Sequence, residues 1–418
     1  MTLLPCSSRE FDLHVNNVYN NGCSSLCQYL LKPHPIRKRS TTMETARKTD
    51  YRFKILYAFG IILVLCAHAD GGALSILKEW FPYDGTYLAL FAFSSGYFYR
   101  QGEEKDIPKY ILRKIRKLII PLYLYNLLYA GIVQLSRLKG FEIGEDPSFY
   151  SIFVMPITNG HQFLYNMGGW FLIPLFMIEV YNILLRRVFS RVNGHTSEWF
   201  FFVTSVLLGM AGNYLAGKGY NTGWWLVLTR MLFFLPFFGF GGFYREIFEQ
   251  FEKKIPNAWY FSLIFALKLL INIKYRAMPT FVPAWCEGFV FSPATSIISG
   301  YLVILFWMRI FTAIEPLLGR NRLVNLIADN TYTIMINHFM GFMLVKTLCG
   351  LLSHVLPAFR PFDWVAYKTD IWWFYYPEGA RAFLTVYVVA GIALPLLVKK
   401  LVLLLRQKVS VGLASRRS

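Results

Sequence analysis

The stretch YRFKILYAFGIILVLCAHAD, Tyr51 to Asp70, decides the class of fold. It opens on Arg52 and Lys54, runs through a largely apolar segment without a charge, and ends on His68 and Asp70. Such a run reads as a membrane helix. At about 1.5 Å of rise per residue His68 lies roughly 21 Å beyond Lys54, deep along a hydrocarbon core about 30 Å thick. Two readings of His68 follow. At the outer interface a half-polar ring meets water at little cost. Within the bundle, an ionisable group marks a functional site by default, because its desolvation needs a partner or a cavity. Imidazole is also the side chain best suited to move a proton near neutral pH.

The rest of the chain agrees with the membrane reading. Of 418 residues, 55% are hydrophobic and only 16% charged, which excludes an ordinary soluble domain. The net charge of +19 sits in short basic clusters at the ends of apolar spans. That is the pattern of topology signals and not of a nucleic-acid face. Cys6, Cys23, Cys27, Cys66, Cys286 and Cys349 show neither zinc-ligand spacing nor a disulfide framework, so free thiols and no metal are expected.

Residues 1–50 form a polar, basic tail with no secretory signal pattern, expected to be flexible and cytoplasmic; Met43, just before the first span, is an alternative start. Residues 51–405 form one membrane domain, and 406–418 a short basic cytoplasmic tail. An all-α polytopic bundle of about ten spans is expected, at roughly 53–71, 85–100, 118–137, 167–187, 198–215, 223–244, 257–273, 291–313, 329–352 and 379–404. The connection after the second span carries Arg100, Lys105, Lys109, Arg113, Lys114, Arg116 and Lys117, and the later even-numbered connections are also basic. By the positive-inside rule both termini are cytoplasmic and His68 lies towards the outer leaflet of a plasma (inner) membrane. No internal repeat emerges.

Ionisable residues also fall inside later spans: Glu179 in the fourth, Arg230 in the sixth, and His338, beside Asn337, in the ninth. Glu179 and Arg230 read either as an interhelical ion pair or as parts of a site, and His338 either as an interhelical hydrogen-bonding group or as a partner of His68. The last outer connection, with Trp364, Trp372, Trp373, Tyr375 and Tyr376, reads as an interfacial aromatic belt or as a platform for sugar rings.

The first span ending in His68, FAFSSGYFY (Phe91 to Tyr99), YILRKIRKLIIPLYLYNLLY (Tyr110 to Tyr129), GGWFLIPLFMIE (Gly168 to Glu179), TRMLFFLPFFGFGGFY (Thr229 to Tyr244) and DNTYTIMINH (Asp329 to His338) together resemble the acyltransferase 3 family of integral membrane acyltransferases. Within it the sequence is most similar to the fucose 4-O-acetylase-like branch. The resemblance covers about residues 50–405. It implies transfer of an acyl group, usually acetyl, from acetyl-CoA to a hydroxyl of a carbohydrate or lipid-linked glycan. The family's pattern places a basic residue eleven positions before the first-span histidine, where this chain has Tyr57. Lys54, about 40° from His68 around the helix, or Arg230 is then expected to supply that charge.

On this reading His68 is the base that takes the acceptor's proton, with Asp70 or Glu179 orienting the ring or stabilising its protonated form. Arg230, Lys54 or a helix N-terminus stabilises the oxyanion. His338 faces the same cavity. Arg113, Lys114, Arg116 and Lys117 either bind the phosphates of CoA or serve only as topology signals. Ser95 in SSG reads as a close helix contact more readily than as a covalent nucleophile, so direct transfer is favoured. The rival function is a polysaccharide or lipid-linked glycan translocase whose polar residues line a path; a regulator descended from an acyltransferase is the third.

Overall fold

The computed structural model describes residues 49–69, 86–193, 197–275, 282–287 and 292–415. The polar tail expected over 1–50 lies almost wholly outside them, as does Asp70. Twelve helices carry the architecture: α1 (Tyr51–His68), α2 (Thr86–Tyr97), α3 (Ile107–Arg137, with a π turn at Ile115–Ile119), α4 (Met167–Val192), α5 (Glu198–Gly217), α6 (Gly223–Glu252), α7 (Asn257–Tyr275), α8 (Pro293–Leu318), α9 (Arg322–Asp329), α10 (Thr331–Val355), α11 (Trp364–Thr369) and α12 (Leu384–Ser415). Among the described residues nine helices are long and apolar enough to cross a membrane, namely all except α2, α9 and α11. The second expected span is α2, whose described portion is twelve residues, TYLALFAFSSGY. The protein is a polytopic helical membrane bundle. The last helix continues to Ser415, through most of the stretch expected to be a tail.

Burial sorts the helices. The apolar window of α6 is 94% buried, whereas those of α7 and α12 are 17% buried and present most of their surface outward. From Met231 to Phe243 the core helix α6 carries no charged side chain and is buried throughout, as suits a helix enclosed by neighbours. Its interior Pro236 offers no N–H to the preceding turn. Gly209 of α5 makes room for it: a Cβ there would stand 2.1 Å from Pro236 Cγ.

Close backbone approach does the same for α2. A Cβ on Gly96 would fall 1.8 Å from the carbonyl oxygen of Phe238, so the SSG sequence is a helix-crossing point. Ser95 Oγ donates to Phe91 O of its own helix at 3.0 Å.

The first helix starts where Asp50 accepts from Arg52 N at 3.1 Å. The Arg52 guanidinium also reaches Glu249 of α6 at 3.0 Å. At the same end of α4 and α5, Arg186 pairs with Glu198 through two bonds of 2.6 and 2.8 Å, with both side chains buried. The guanidinium lies between the rings of Tyr99 and Phe201, each 4.5 Å from its centre. Cation–π contact and a bidentate carboxylate together compensate the desolvation of both charges.

Between α3 and α4 the chain folds inward. Residues 159–172 are mostly buried and lead through a tight helical turn, Met167–Phe171, into α4. Gly160 adopts φ 81°, and a Cβ there would approach Trp170 Cβ to 2.5 Å. This position requires glycine. The segment carries Gln162 and Asn166, whose amides donate to Asn126 Oδ1 of α3 at 2.6 and 3.4 Å. Irregular backbone of this kind inside a membrane bundle is tolerated where protein surrounds it.

Candidate functional site

His68 ends α1 and stands against the middle of α10. Its Nδ1 is 2.8 Å from Nε2 of His338, and the two rings lie nearly parallel, 4° apart with centroids 4.9 Å apart. The other nitrogen of His338, Nδ1, lies 2.8 Å from Met335 O and 3.3 Å from Ile334 O. A carbonyl only accepts, so Nδ1 of His338 carries the proton. In the neutral ring Nε2 then has a lone pair, which must meet an N–H from His68 Nδ1. That leaves the lone pair of His68 on Nε2, outside the chain of hydrogen bonds. The arrangement fixes one tautomer of His68 and presents its basic nitrogen, the logic of a catalytic base held by an orienting partner.

The local sequence explains the placement. Gly168, in the GGWF turn, packs so closely that a Cβ there would be 2.2 Å from Met335 O. Gly391 of α12 similarly lets the helix approach His338 and Leu65. His338 is completely buried, while His68 is half-buried. Phe339 and Trp372 complete the wall, with ring centroids 5.2 and 5.8 Å from that of His68.

Sequence reasoning missed His161. It lies in the inward-folded connection, donates from Nδ1 to the Asn159 carbonyl and side-chain oxygens at 3.1 Å, and stacks on Trp285 at 4.3 Å. It is close enough to His68 and to Arg230 for their charges to interact. In the sequence, NGHQF looks like a polar turn, and no local signal says that the turn goes inward.

Arg230 comes from the wall of α6. It donates to Asn159 O at 2.8 Å and to Ala284 O, and its guanidinium lies over Trp170, 4.6 Å from the ring centre. Among the described residues no carboxylate pairs with it. Carbonyl dipoles and an aromatic face hold the charge without neutralising it, which leaves its field available to an anion.

The remaining candidates lie elsewhere. Glu179 accepts from Tyr110 and pairs with Lys114. It interacts electrostatically with Tyr57 of α1, eleven residues and therefore about 16 Å along the helix from His68. Glu179 and Arg230 are accordingly not an ion pair. Lys114 is the cation paired with Glu179, whereas Lys54 pairs with Asp329 at the end of α9. Arg113 pairs with Glu103 at 2.6 Å, while Arg116 and Lys117 are exposed. No group of three or more His, Cys, Asp or Glu residues that could hold a metal occurs among the described residues.

The site is thus an imidazole pair inside a helical membrane bundle, with His161 acting on His68 and Arg230 in turn acting on His161, a layout suited to proton removal. The chain belongs to the acyltransferase 3 family: the family model described as an acyltransferase domain matches residues 50–400. No curated protein and no solved structure matches it. The protein is a multi-pass membrane acyltransferase by family.

Proposed function

We propose that the protein is an O-acetyltransferase that moves the acetyl group of acetyl-CoA to a hydroxyl of a carbohydrate or lipid-linked glycan. The observation that carries this reading is the His68–His338 pair, which points a basic nitrogen away from a fixed hydrogen-bond chain. His68 Nε2 takes the proton of the acceptor hydroxyl as its oxygen attacks the thioester carbonyl carbon. The C–O bond forms, the C–S bond breaks, and the departing CoA thiolate takes the proton from the imidazolium. Arg230 stabilises the oxyanion of the tetrahedral intermediate in a water-poor setting.

The donor enters from the end that carries Asp50 and the basic stretch of α3. Arg116 and Lys117, exposed there, meet the phosphates of CoA, with Arg113 and Lys114 tethered to Glu103 and Glu179 beside them. The donor's extended arm spans the roughly 16 Å between that level and His68. That end is cytoplasmic by the distribution of Lys and Arg, and the membrane is the plasma membrane of a cell that decorates exported glycans. Asp70 lies outside the described residues, so the orienting role is assigned to His338.

The test is purified protein in lipid nanodiscs with acetyl-labelled CoA and a panel of glycans. Label appearing on the glycan, through an ester linkage that mild base cleaves, supports the reading. Passage of unmodified glycan across sealed vesicles with no labelled product replaces it with the translocase.

A further inference from the structure

The connection between α10 and α12 does more than cover the histidines. Phe362, Asp363, Trp373, Phe374, Tyr375 and Tyr376, with Pro361, line an open pocket of about 540 Å³. That lies within the ~300–1,000 Å³ of small-molecule sites. We propose that this pocket is a carbohydrate subsite that holds one unit of an oligosaccharide acceptor while Trp372 receives the neighbouring unit over His68. The proposal rests on the acyl-acceptor reading above and narrows it from a carbohydrate to an acceptor of at least two linked units.

Three features favour a sugar. Trp373 and Tyr376, the less buried rings of the lining, offer aromatic surface, whose negative quadrupole attracts the C–H face of a pyranose. Phe362, Phe374 and Tyr375 are 9%, 8% and 6% exposed, so these rings are packed inward, unlike an interfacial belt turned to lipid. The charged group in the lining is Asp363, whose Oδ1 accepts from Val365 N and Ala366 N at 3.0 and 2.9 Å. Held in that way, an exposed carboxylate accepts hydrogen bonds from sugar hydroxyls and repels phosphate or carboxylate ligands.

The pocket is also braced. Lys346, completely buried on α10, donates to Ile371 O at 2.7 Å and lies over Phe374. Thr347 meets the Tyr367 hydroxyl at 2.6 Å, and Tyr387 of α12 donates to Tyr375 O at 3.0 Å. A connection tied to both flanking helices loses little freedom on binding. Trp372 and Trp373 are consecutive, so their Cα atoms are about 3.8 Å apart. Trp373 joins the pocket lining while Trp372, 48% exposed, stands against His68 and Phe339. The subsite requires one glycan chain to run from the Trp373 side of this link to the Trp372 side.

Isothermal titration of the full chain in nanodiscs, without donor, tests this with oligosaccharides of glucose, galactose, N-acetylglucosamine and fucose, one to four units long. At least one tetrasaccharide should bind ten or more times as tightly as its monosaccharide. Asp363→Asn keeps the cap and the shape but removes the charge, and should weaken that tetrasaccharide about tenfold. Trp373→Ala should weaken it further, with a melting transition confirming that each variant is folded. No difference between one unit and four, no binding by any member, or unchanged affinity in folded Asp363→Asn overturns the subsite. Acetyl transfer to a monosaccharide in that case would leave the acyltransfer reading standing, whereas binding with no transfer from acetyl-CoA would overturn that reading and keep the subsite.

Discussion

His338→Ala removes the acceptor of the His68 Nδ1–H bond, 2.8 Å long in the intact protein. The donor it orphans is half-buried, and an unmet buried polar group costs about 1–3 kcal/mol. His68 freed of that bond exchanges tautomers and turns from the acceptor, which forfeits part of the about 10²–10⁴ that a positioned base contributes, so kcat should fall by roughly 10- to 100-fold. The KM for acetyl-CoA should change little, since donor phosphates bind far from the ring. His338→Gln sharpens the test. A Gln amide oxygen falls near the position of imidazole Nε2 and still accepts from His68, so activity should return to within about tenfold of wild type. Asn places its amide near Nδ1, and His338→Asn should resemble His338→Ala. The assay is initial-rate release of CoA and label transfer by protein in nanodiscs, with thermal unfolding to exclude collapse of the completely buried site. Full activity in His338→Ala, or equal losses in the Gln and Asn variants, would refute the tautomer argument.

Arg230→Gln should lower kcat by about 10²–10³, the usual loss when one oxyanion-stabilising group is removed, and Arg230→Lys should retain more of the rate because the charge remains; a variant with unchanged kcat in the same assay removes Arg230 from the chemistry. Arg186→Ala leaves Glu198 buried without its bidentate partner, predicting about 3–5 kcal/mol of destabilisation. Arg186→Met combined with Glu198→Gln should recover much of that loss in thermal unfolding; equal instability in the single and double variants would contradict the pairing argument.

Much of the bundle is legible in the sequence because a membrane demands long apolar segments and each reports itself within a window of about twenty residues. All ten expected spans fall on helices. The site is less legible, since its groups meet across the fold. His68 and His338 are separated by 270 positions, and only their ionisable character inside spans marks them. The reading of Glu179 and Arg230 as an interhelical ion pair, one of the two open in the sequence, rests on the same logic and fails, because Tyr110 and Lys114 take Glu179 while carbonyls take Arg230. Lys54 has suitable helical azimuth but pairs with Asp329 instead. His161 had no signal at all: its burial depends on a connection that turns inward, and Gly160 is the trace of that turn.

If the imidazole at the end of α1 removes the acceptor's proton, acetyl transfer by folded His68→Ala against wild type at saturating donor reads that step. General-base catalysis is worth about 10²–10⁴ in rate, so transfer should fall at least about a hundredfold with the melting transition preserved. Transfer at close to the wild-type rate in that variant would contradict it.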